Sequence, residues 1–145
     1  VIGLATALAF TALASPSPLA SADAVTIRNG AALSAGGFII EVRAHGPLLV
    51  SDKNGTREVN ATPKSVAELF AQVRGPEPPA SVQVRSCRHL MSGGGPLAVE
   101  YKGSRTPGDL SCGGDAAARA LLAAANGLIA QAGVAPPPLR RRPAL

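Results

Sequence analysis

The dipeptide Asn54-Gly55 restricts the folding of this chain more than any other local feature. A two-residue type I′ turn needs positive φ at both central positions, which asparagine followed by glycine tolerates best. Residues 48–53 and 56–60 flank it, so the dipeptide predicts a hairpin between them. Upstream, residues 38–45 alternate strictly. Phe38, Ile40, Val42 and Ala44 share one face, and Ile39, Glu41, Arg43 and His45 share the other, which is the period of a half-buried strand. Gly46-Pro47 turns the chain between these segments. Residues 25–28 read as a further short strand and 29–37 as a loop, so the meander is antiparallel.

A helix follows directly. Thr62 suits the N-cap and Pro63 the first helical position. Val66, Leu69, Phe70 and Val73 then fall on one stripe, and Gly75-Pro76 stops the helix. Phe70 is expected to be its main anchor on the sheet.

The second half repeats the plan after a proline-bearing linker at 77–80. Residues 81–88 read as a strand, with Val82 and Val84 on one face. Residues 92–96 form a glycine loop. Leu97, Val99 and Tyr101 face together in a strand over 97–102, and 105–110 suggest a short strand broken by Pro107-Gly108. Asp115 caps a last helix with Leu121, Leu122, Ala125, Leu128, Ile129 and Ala132 as its apolar stripe, ended by Gly133. The expectation is an α+β domain over residues 23–134, with an antiparallel sheet of about five to seven short strands. Two helices pack on one face of it, and one disulfide staples it.

The Asn54-Gly55 hairpin, the Thr62-Pro63 helix start and Gly113-Gly114 before the last helix together resemble small uncharacterised exported bacterial domains. Those run strand, strand, helix twice, and the likeness covers residues 38–132. Such domains often carry a close cysteine pair near the first long strand, where this chain has residues 31–37. The resemblance implies a fold and no activity.

Residues 1–14 are uncharged and apolar, too short for a membrane span of about 20 residues. Ala20-Ser21-Ala22 then offers the small residues that a signal peptidase reads, so 1–22 is read as a signal peptide. Cleavage between Ala22 and Asp23 is expected, with cleavage after Ala24 as the alternative. Export, to the periplasm or beyond the cell, puts the two cysteines in an oxidising compartment. Cys87 and Cys112 are therefore expected to pair, closing a loop of about 26 residues worth roughly 3.5 kcal/mol in the chain-entropy view. The other reading, a metal or redox pair using Cys87 and His89, lacks the four ligands of a closed zinc site.

The formal charge is +5, and three of the 14 cationic residues are Arg140, Arg141 and Arg142 in a Pro-rich tail at 135–145 read as disordered. With four aromatic residues and no basic stripe, the body lacks the stacking and charge of a nucleic-acid binder. The arginine tail implies at most weak contact with an anionic surface.

No motif marks an active site. Gly93-Gly94-Gly95 lacks the Lys-Ser/Thr and the following helix of a phosphate loop. His89 with Ser86 or Ser92 is the arrangement a small secreted hydrolase would use, but no nucleophile elbow surrounds either serine. His45 reads as a surface histidine. Glu41 and Glu100 would need to meet across the sheet to act as paired carboxylates, and cross-strand pairing with Arg43, Lys102 and Arg85 explains them better. No catalytic, cofactor or metal residues are assigned. The functional expectation is a non-enzymatic exported module that binds a protein or an envelope component.

Overall fold

The computed structural model describes residues 23–30, 32–87 and 95–134. Its strands are β1 (Ala24–Asn29), β2 (Phe38–Arg43), β3 (Leu48–Asp52), β4 (Gly55–Val59), β5 (Leu97–Tyr101) and β6 (Ser104–Arg105). Its helices are α1 (Pro63–Val73) and α2 (Ala116–Ala132). The strands form one antiparallel sheet in the order β4-β3-β2-β1-β5-β6. The first described strand, β1, thus lies inside the sheet, between the meander and the later hairpin.

Alternation decides which face is covered. Ile27 stands opposite Ile40 on one side and Val99 on the other, and all three are fully buried. Val25, Val42, Val50, Leu97 and Tyr101 continue that buried face, whereas Thr26, Glu41 and Glu100 lie on the opposite face, only half-buried. Both helices cover the apolar face. Val66, Leu69, Phe70 and Val73 of α1 are buried there, with Ala118, Leu121, Ala125, Leu128 and Ala132 of α2. Leu122 and Ile129 pack at the margin of this core.

The helices are antiparallel. Gln131 near the end of α2 accepts from Thr62 N (2.7 Å) and donates to Ser65 Oγ (2.8 Å) at the start of α1. The Thr62 side chain in turn accepts from Ser65 N, the N-cap bond that its sequence position implied. Arg57 ties β4 to the end of α2. It makes a bidentate pair with Asp52 (3.0 Å each) and reaches the carbonyls of Ala132 and Gly133 at 3.4 and 3.5 Å. A guanidinium at these carbonyls satisfies acceptors that a helix end leaves open.

Three expectations change. The β3–β4 hairpin closes over Lys53 and Asn54, because Asp52 pairs with Gly55. Gly55 takes φ +101°, while Asn54 keeps negative φ and donates its N–H to Asp52 Oδ1 at 2.9 Å. In this turn the glycine, not the dipeptide, supplies the unusual conformation. The two-residue turn with positive φ at both positions is instead Lys102-Gly103, between β5 and β6.

Residues 81–88 do not form a strand of the sheet. β1 takes one edge of β5, and on the other β6 pairs with Glu100 and Tyr101 while Thr106 and Asp109 engage the backbone of Val99 and Leu97, so no ladder is open beside it. Pro79–Ser81 makes a 3-10 turn, and Val84 makes a single bridge with Gly114. Val82 is still buried and Val84 half-buried, so their alternation serves packing rather than sheet pairing. The run 105–110 likewise yields only β6, and Leu110 enters a 3-10 turn, fully buried. The cysteine bond therefore joins an irregular segment to a turn.

Candidate functional site

The polar geometry of the second half converges on the short turn Leu110–Cys112 that precedes α2. Its N-cap, Asp109, has an Asp-x-Ser sequence suited to local side-chain capping. Asp109 Oδ1 accepts from Ser111 N (3.0 Å), from Ser111 Oγ (2.6 Å) and from Leu97 N (2.9 Å) at the start of β5. The residue is 7% exposed, and among the described residues its buried Oδ2 has no hydrogen-bond partner.

The same turn holds residues 83–87. Cys87 is disulfide-bonded to Cys112, with Cα atoms 5.9 Å apart. Arg85 N donates to Gly113 O at 2.8 Å, and Asp115 N donates to Gln83 O at 3.0 Å. Gly114 is required between them, because a Cβ there would run into the Gln83 carbonyl. Asp115 caps α2 through Ala118 N and also accepts from Gln83 N at 3.3 Å. Across the site, Gly30 N donates to Pro96 O at 2.9 Å.

The stretch 88–94 is thus flanked on both sides by chain fixed to one support. Cys87 is bonded to one end of the 109–113 turn, and Leu97 is hydrogen-bonded to the other. Between these flanks lies a cleft of about 420 Å3, lined by residues 84–87 with Pro96, Pro107 and Asp109.

Other sequence-derived candidates scatter. Ser86 is exposed, while its suggested base His89 and the alternative nucleophile Ser92 lie outside the described residues, as do Ala22 and the Arg140, Arg141, Arg142 tail. His45 is exposed at the turn after β2. Glu41 and Glu100 flank Thr26 from opposite sides, with a whole strand between them. Glu41 pairs with Arg43 at 2.9 Å, and Glu100 stands in register with Arg105 rather than near Arg85. Among the described residues, no three His, Cys, Asp or Glu side chains gather as a metal site, and no helix is long and apolar enough to cross a membrane.

Asp23 has a structural role that sequence reading did not assign. Its carboxylate accepts from Tyr101 Oη (2.7 Å) and Arg74 Nη2 (2.6 Å), joining the start of β1 to β5 and to the end of α1. The Tyr101 hydroxyl and then Arg74 hold its carboxyl below the ordinary value, and the Arg57 hydrogen bonds do the same for Asp52. A carboxyl whose folded pKa is depressed contributes stability above its unfolded pKa and loses it as pH falls through the folded one. Thermal unfolding midpoints should therefore drop as pH is lowered from about 5 toward 2. Asp52→Asn should flatten that drop, and an unchanged acid slope in this variant would contradict the assignment.

The chain matches no protein-family model, no curated protein and no solved structure.

Proposed function

We propose that this chain is an exported, non-enzymatic binding module, of the same kind as the small exported bacterial domains it resembles. Its working segment is the stretch between Cys87 and Gly95, and its concrete activity is inhibition of a secreted peptidase. The observation that carries this reading is the double anchorage by the 109–113 turn, covalent at Cys87 and hydrogen-bonded at Leu97. Flanking chain that is held to one support loses less conformational freedom on binding, and pre-organisation of this kind raises affinity without adding contacts. The uncharged run at 1–14 and the disulfide support export.

The test is titration of the oxidised chain against a panel of serine, cysteine and metallo-endopeptidases. Stoichiometric inhibition of at least one is expected. Asp109→Ala, which frees Leu97 N, should weaken that inhibition about tenfold, the loss of one well-placed anchor. No inhibition across the panel at micromolar concentration would remove the inhibitor reading.

A further inference from the structure

Residues 83–86 are bound along one edge only. Gln83 and Arg85 direct their backbone groups toward residues 113–115, as a single antiparallel bridge requires. The intervening residues direct theirs the other way. Among the described residues, no hydrogen bond engages the backbone N–H or C=O of Val84 or Ser86. Ser86 is exposed and Val84 half-buried. An extended run with one satisfied edge and one open edge is a template for a further strand.

Two features beside this edge define what it takes. The cleft next to it has apolar walls at Val84, Pro96 and Pro107, room for a side chain rather than a second layer. Arg85 is exposed and makes no ion pair among the described residues. Opposite charges on neighbouring strands stabilise the pairing.

We infer that the open edge of residues 83–86 docks an extended segment of a partner polypeptide, which carries an acidic side chain opposite Arg85. The partner adds a strand through the N–H and C=O groups of Val84 and Ser86, and an apolar side chain enters the cleft. This deepens the reading of the chain as a binding module, because the edge runs directly into Cys87, but it makes no use of peptidase inhibition. The segment is therefore expected to be recognised as a free peptide as well as within a folded partner.

The probe is a phage-displayed library of random twelve-residue peptides, selected on the intact oxidised chain. Acidic, strand-forming peptides should be recovered, and they should slow hydrogen exchange at the Val84 and Ser86 amides. Ser86→Pro removes one outward N–H at an exposed position and should weaken the selected peptides about tenfold. Arg85→Glu reverses the charge without touching the backbone bond to Gly113, and should reduce binding of acidic peptides by a similar factor. Circular dichroism matching that of the parent establishes that each variant is folded. Recovery of no peptide, or of peptides that leave both amides unprotected, would overturn the docking edge. Peptidase inhibition is measured separately, so failure of the edge and failure of the inhibitor reading are told apart.

Discussion

Replacing Cys87 and Cys112 together with serine is expected to lower the unfolding free energy by about 3–4 kcal/mol. The bond spans 25 positions of sequence, so its loss releases a long loop in the unfolded chain. The cost should be visible in urea unfolding as a lower midpoint with little change at the sheet. β1 to β4 and both helices make their contacts without either cysteine. Hydrogen exchange should rise first at Arg85 and Asp115, whose backbone bonds join the two stretches that the disulfide holds together. Binding of any inhibited peptidase should weaken more than stability alone explains, because only one flank of 88–94 then stays anchored. A stability loss below about 1 kcal/mol would show that the bridge adds little to a turn already held by its hydrogen bonds.

The second large effect is expected at Phe70, 3% exposed on the inner face of α1. Its ring meets Tyr101 edge-on, with centroids 6.2 Å apart at 90°, and the Arg74 guanidinium lies 4.4 Å from its centroid. The chain carries only three Phe and one Tyr, and no Trp. Phe70→Ala should cost about 3–5 kcal/mol, a transfer term plus a cavity term. That is a large share of the roughly 5–15 kcal/mol that holds a domain together. Phe70→Leu keeps most of the volume, so it should lose about 1–1.5 kcal/mol, mainly the ring contacts. Equal losses for the two substitutions in thermal or urea unfolding would mean that the site collapses freely and that ring geometry contributes nothing.

The stapled turn and the Asp23 cluster also show how polar groups organise a core with few rings. Asp23 gathers Tyr101 and Arg74, and these are the two groups that frame Phe70. The start of β1, the end of α1 and β5 are therefore joined at one corner. Asp109 does comparable work at the opposite end of β5, through Leu97 N. One strand is thus positioned by carboxylates near both of its ends.

The residues alone were enough for the presence of β1 to β4, α1 and α2, though not for the residues that close the β3–β4 turn. Their signals are local: period-two alternation over 38–43, a Thr-Pro helix start at 62–63, an aspartate cap at 115 and a glycine stop at 133. Each depends on neighbours within a few positions, so each is readable before the chain folds. The placement of Cys87 beside Cys112 was legible for a different reason, since a chain with two cysteines has only one possible internal pair. What only the tertiary structure decided was competition for partners. Residues 81–88 look like a strand, but β1 and the chain over 104–109 already engage both edges of β5, and Val84 bridges to Gly114 instead. The same competition leaves the outer edge of that run open, while an unremarked aspartate at 109 ties Leu97 to the turn whose other end carries Cys112. Pairing of this kind is settled among segments far apart in sequence, and no window of neighbouring residues contains it.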